Sequence, residues 1–198
     1  MTGAELDLDF VRNLALGVAL AAACGLRIFV PLLVLGTASA FGWVELSGGL
    51  AWIGSLPALT VFGVATLVEV AAYHVPWLDN ILDYLGAPVA VGAGTLMAAS
   101  LLPEGDAVLR WTVAAAAGGG AAGVVHLGTA VLRKMSSLAT GGLANPLLAH
   151  AEAFGALLAS VIALAAPVLA LVVVVLMIAG AVRLLRRRAA TRQELPRI

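Results

Sequence analysis

The longest charge-free stretch in the chain, residues 153–182, runs for 30 residues and is interrupted only by Pro167. About 20 apolar residues cross a bilayer as a helix, so a run of this length is hard to house in a water-soluble fold. Further windows without Asp, Glu, Lys or Arg cover 13–26, 28–44, 46–68, 84–103 and 111–132. A soluble domain carries about 25% charged residues, whereas this chain carries 11%, with a mean hydropathy of +1.07. None of the windows shows the short alternating segments of a membrane barrel. The pattern excludes a soluble enzyme, a nucleic-acid-binding protein and a secreted disulfide scaffold, the last because Cys24 is the single cysteine. It predicts an all-α, polytopic transmembrane helix bundle of about five to six membrane segments. One domain is expected over 1–188, with a short basic cytoplasmic tail at 189–198. The acidic start, with Glu5, Asp7 and Asp9, is unlike the basic start of a signal peptide, so no cleaved leader is expected.

Helix breaks follow from proline, glycine and short polar clusters. Residues 14–44 contain one charge, Arg27, framed by Gly25 and Pro31. A broken helix is predicted there, read as two short legs meeting at Arg27 rather than one long tilted helix. An apolar segment over about 50–75 ends in a turn from Val75 to Asn80, and another over about 84–102 stops at Pro103 to Asp106. The next, about 110–133, holds Ala114 to Ala117 and Gly118 to Gly120. In lipid such small residues allow close helix approach, and Gly119 with Gly123 has GxxxG spacing. Gly141 and Gly142 then interrupt, and Asn145-Pro146 suits an N-cap and a first helical turn. The two broken or re-entrant places, near Arg27 and near Asn145, each carry Gly-Leu followed by Pro-Leu-Leu. Paired breaks of this kind line midplane sites in inverted-repeat transporters.

Six of the ten arginines follow position 182, and Lys and Arg near segment ends favour the cytoplasmic side. The carboxyl terminus is therefore expected inside, at a plasma or inner membrane. Placing Arg133 and Lys134 inside as well makes the number of later crossings even. Residues 144–182 should then cross twice about Ala166-Pro167, or enter and return as a hairpin. Glu104 and Asp106 fall outside, the turn from Asp79 to Asp83 inside, and Trp43 and Glu45 outside. The side of the amino terminus stays open.

Ionisable residues within apolar segments are costly and are site candidates by default. Arg27 is a permanent cation that needs a carboxylate, a phosphate or carbonyls, or else it caps a turn near the interface. Glu69 either pairs with Arg27 or couples a proton or ion. Asp79, Asn80 and Asp83 offer an oxygen-rich helix face for a cation, or simply acids at a helix start. His126 stands in a small-residue helix as a packing residue or a proton relay. Asn145, with Glu152 behind it, completes the set; His150 and Glu152 are two apart and point to different faces. No Cys/His cluster has metal-ligand spacing, no GxSxG, Walker or GxGxxG pattern occurs, and no cofactor is expected.

The same residues carry a family resemblance. Its segments are Gly25-Leu26-Arg27-Ile28-Phe29-Val30-Pro31-Leu32-Leu33, Pro76-Trp77-Leu78-Asp79-Asn80-Ile81-Leu82-Asp83, His126 to Lys134, and Asn145-Pro146 with Glu152. In that order they resemble the uncharacterised integral membrane family named domain of unknown function 4126, over most of residues 10–185. The chain departs from the family at Tyr73-His74-Val75, where an acid and a lysine are usual, and at Ala153, where a second acid is. The resemblance implies the membrane architecture and the residue set, and no activity.

With almost no extramembrane mass, the chain is expected to be a small transporter or flippase-like permease, not an enzyme. Arg27 and the helix start at Asn145 would hold an anionic group, while Glu69 or an aspartate couples a cation or proton. The bilayer is one expected partner; an anionic small molecule, a lipid or an ion is the other. The alternative is a membrane scaffold or assembly protein, a homo-oligomer through the Ala/Gly-rich helix 111–132. A third reading is acid–base chemistry on a lipid by His126 with Glu152.

Overall fold

The computed structural model describes residues 3–72 and 76–193, and the side chains of 3–7, 76–84, 181–182 and 184–193 lie outside that description. Every regular element among the described residues is helical. In order they are α1 (Gly3–Leu26), α2 (Phe29–Ala40), a 3-10 segment (Gly48–Gly54), α3 (Leu56–Ala72) and α4 (Pro76–Leu101). There follow α5 (Ala107–Val113), a π-helical segment (Ala114–Gly119), α6 (Gly120–Thr140), α7 (Asn145–Ala165) and α8 (Pro167–Gln193). The expected turn through Asn80 is corrected: Pro76 to Asn80 begin α4, because proline in a first helical turn removes no hydrogen bond that the helix would otherwise make. Residues 73–75, where the chain departs from the family pattern, lie outside the described residues.

Helix α1 forms the centre, buried on all sides from Ala15 to Gly25. A helix tolerates this when it is apolar all round, and its Ala, Gly and Leu run meets that condition. Small side chains let α4, α6, α7 and α8 approach it. A Cβ on Gly25 would stand 2.4 Å from the Ala122 carbonyl oxygen, so α1 and α6 cross there in backbone contact. Along the next long helix, Ala114, Gly118, Ala122 and His126 recur every four residues and all are buried. In a regular α-helix each such step drifts about 40° off a face. The wider π turn at Ala114–Gly119 takes up the drift. The stripe meets α4: a Cβ on Gly118 would lie 2.5 Å from the Gly94 carbonyl oxygen, and one on Gly119 2.5 Å from Thr95 Oγ1. One on Gly123 would lie 3.1 Å from Val91. The GxxxG pair therefore closes a contact within the chain.

Three helical stretches, Leu8–Leu26, Ala107–Thr140 and Asn145–Ala165, are long and apolar enough to cross a membrane. The 3-10 segment and α3, bent by 58°, would together supply a fourth span. Phe29–Ala40, Leu85–Leu101 and Pro167–Gly180 are shorter apolar helices. Three to four segments, rather than five to six, thus meet the length requirement among the described residues. Val61, Leu67, Leu127, Val131, Leu158 and Leu176 are exposed, an outer surface suited to lipid.

Chain reversals sort the helix ends. Leu26 of α1 touches Gly155 of α7, and Leu158 and Ile162 share a cavity of about 230 Å³ with Ala19 and Ala22, so α1 and α7 run antiparallel. Val173 and Met177 line the same cavity, which requires α8 to fold back along α7 at Ala166. Helix α1 thus enters from the end where α7 finishes, turns at Arg27, and α2 returns to that end, where Thr37 and Ala38 share a cavity with Leu164 and Ala165. The break expected at Arg27 is present, but the first of its two legs is not short: α1 has 24 residues and is long enough to cross a membrane. At the same end the Ser47 N–H donates to the Ser100 carbonyl (2.8 Å) and the Gly48 N–H to the Glu104 carboxylate (2.8 Å). Glu45, Glu104 and Asp106 gather there, opposite Arg133 and Lys134. Cys24 is fully buried, so single introduced cysteines report alone. Ala166→Cys and Gly105→Cys should react with an impermeant maleimide from one side of the membrane, and Leu143→Cys from the other. Labelling of Ala166→Cys and Leu143→Cys from a common side would break this arrangement.

Candidate functional site

Between α1 and α2 two residues, Arg27 and Ile28, leave the helical path. Non-helical backbone at membrane depth persists only where protein or water satisfies it, and here protein does. Ile28, at the N-cap of α2, has no side chain able to accept a hydrogen bond, and none caps the helix locally. Glu69 of α3 supplies the acceptors instead: Oε1 takes the Ile28 N–H (2.9 Å) and Oε2 the Phe29 N–H (3.2 Å). Its negative charge also complements the positive end of the helix dipole.

The Arg27 side chain turns the other way. It is 1% exposed, and Nη2 donates to the Ala149 carbonyl of α7 (2.7 Å) and lies 3.4 Å from Glu152 Oε2. Arg133 of α6 grips the same carboxylate in a fork, with Nε 3.1 Å from Oε1 and Nη2 on Oε2. Glu152 therefore stands between two guanidinium groups, and Glu69 sits in the field of both. Among the described residues two guanidinium groups and two carboxylates gather at the tip of the α1–α2 hairpin. Pairing of this kind is what makes buried ions tolerable.

Next to the tip a cleft of about 620 Å³ opens between α3 and α4, helices that scarcely touch among the described residues. Val61, Val64 and Val68 line one wall, Leu85 and Val89 the other, and Leu26, Ile28 and Phe29 the floor. Glu69 and His126 are the ionisable groups on it. Gly86 allows the histidine in, for a Cβ there would come 2.6 Å from the imidazole Cε1. The size falls in the range of small-ligand sites, about 300–1,000 Å³.

The sequence over residues 14–187 matches the model of a family described as a domain of unknown function. The chain belongs to the DUF4126 family. No curated protein and no solved structure matches it.

In this DUF4126 protein Arg27, Glu69 and Glu152 converge on the hairpin tip, and His126 lines the same cleft as Glu69. Glu69 accepts from the Ile28 and Phe29 N–H groups, and Arg27 lies beside Glu152. Asn145 is a correction: Ala144 holds the N-cap position, and Asn145 Nδ2 donates to Ser137 Oγ (2.9 Å), tying α7 to α6. The break before it is a largely exposed turn through Gly141 and Gly142, both at positive φ, unlike the buried break at Arg27. Asp79, Asn80 and Asp83 fall in α4, with side chains outside those described. His150 is exposed and Glu152 buried, on different faces as their spacing requires. Among the described residues no group of three or more His, Cys, Asp or Glu could hold a metal ion. Sequence reasoning gave Arg133 a topological role and missed its place in the cluster. A signal was present: His126, Thr129 and Arg133 recur at helical spacing, marking one polar stripe, and all three are buried.

Proposed function

We propose that this DUF4126 protein is a small multi-pass permease that moves an amphiphile through the α3–α4 cleft. The observation that supports this reading is the cleft itself: apolar walls exposed on the outer surface lead to a floor where a carboxylate and an imidazole wait beside a helix break. An amphiphile could enter sideways from lipid, chain against Val61 and Val64, head against Glu69 and His126. In the same reading the short apolar helices complete five to six membrane segments. The arginines after position 182 hold the carboxyl terminus in the cytoplasm, at a plasma or inner membrane. The alternative, a scaffold, draws on polar residues that merely pair, as Arg27 and Arg133 do with Glu152, and on an Ala/Gly-rich helix that mediates packing or oligomerisation, whose Gly119 and Gly123 face α4.

The test is lipid scrambling in reconstituted vesicles, followed by dithionite quenching of a fluorescent phospholipid. Wild-type protein should speed exchange over protein-free vesicles. Val64→Trp, which fills the cleft from a position 57% exposed, and Glu69→Gln should each slow it about tenfold, or about 1.4 kcal/mol in barrier, at equal incorporation. Exchange no faster than in protein-free vesicles would sink the permease reading.

A further inference from the structure

We infer that the cleft takes an amphiphile whose head is cationic, of the ammonium type. This deepens the permease reading and rests on it, replacing the anionic substrate that Arg27 suggests in the bare sequence.

The charge that faces the opening selects the head group. Arg27 does not line the cleft; its guanidinium is buried toward α7, on Ala149 and Glu152. Arg133 and Glu152 are bound to each other behind it. Glu69 lines the cleft, so among these described groups a carboxylate and not a guanidinium faces it. The α2 N–H groups of Ile28 and Phe29, which would otherwise welcome an anion, are already donating to Glu69. Each Glu69 oxygen accepts one of them and retains a second lone pair, open to an N–H or to the field of a quaternary ammonium. His126 from α6 is the other titratable group on the floor, and the α4 side chains before Leu85 lie outside those described. The walls choose the rest of the molecule. Val61 and Val64 on α3 and Leu85 and Val89 on α4 are 45–62% exposed, matching a hydrocarbon chain rather than a hydrated ion.

Radiolabelled dodecyltrimethylammonium is the probe, bound to the full chain in maltoside micelles. Binding should be saturable, displaced by the unlabelled compound and resisted by dodecyl phosphate. Glu69→Gln should weaken it about tenfold, and Val64→Trp should abolish it while retaining the wild-type melting temperature. Displacement by dodecyl phosphate, with Val64→Trp still blocking the site, would overturn the cationic head and leave the cleft reading intact. Full binding in Val64→Trp would overturn both. Should Glu69→Gln fail to fold, the competition and Val64→Trp decide the matter alone.

Discussion

Glu152→Ala should lower the stability of the protein by about 3–5 kcal/mol, the cost of removing one member of a buried ion pair. Two guanidinium groups converge on this one carboxylate, and Arg27 and Arg133 are 1% and 4% exposed, so neither can recover its hydration by a small movement. Thermal unfolding in maltoside micelles should show the drop directly. The double variant Glu152→Leu with Arg133→Met should recover part of it, because removing both members of a buried pair is far cheaper than removing one. A melting temperature unchanged in Glu152→Ala would mean that the cluster is wet and that the hairpin tip is held by something else.

The second large effect separates two glycines two residues apart. Gly118→Leu should destabilise by about 1–3 kcal/mol or more, the range for overfilling a packed contact. A Cβ there meets both the Ala98 Cβ and the Gly94 carbonyl oxygen at 2.5 Å, and backbone cannot step aside as a side chain would. Gly120→Leu should change stability by no more than about 0.5 kcal/mol, since a Cβ on Gly120 meets nothing within 4 Å. Unfolding and size-exclusion measurements on both variants give the comparison. Equal melting temperatures would refute the seam between α4 and the π-helical segment. A change of oligomeric state in Gly120→Leu, with monomer stability untouched, would revive the outward-facing role expected for helix 111–132.

Much of the fold was legible from local chemistry. Charge-free windows identified the apolar helices. Breaks at Arg27, at Pro103 to Asp106, at Gly141-Gly142 and at Ala166-Pro167 were each set by a residue that cannot continue a helix or by a polar cluster that stops an apolar run. The turn expected at Pro76 was not one, because proline also starts helices and the sequence does not say which side of it is helical. The period-four run from Ala114 to His126 was visible as composition, yet its π winding was not. A wide turn gains nothing locally and is stabilised by the neighbouring helix that the stripe must face.

The site was half legible for a related reason. A charge in an apolar run announces that it needs a partner, and Arg27, Glu69 and Glu152 could be singled out on that ground. Which partner it takes is a long-range fact: Arg27 and Ala149 are 122 residues apart, and Glu69 reaches back 41 residues to cap α2. Arg133 looked like a topology signal because its neighbour Lys134 and a nearby glycine turn placed it at a helix end. Composition and period alone were enough for the apolar helices, most of their breaks and the residues too costly to leave unpaired. The tertiary structure decided that two carboxylates divide the labour, one neutralising arginines and one capping a broken helix at the edge of a cleft. Hydrogen bonds and Coulomb forces act across space, and only the packing of α1 against α6 and α7, and of α3 against α2, brings those groups within reach.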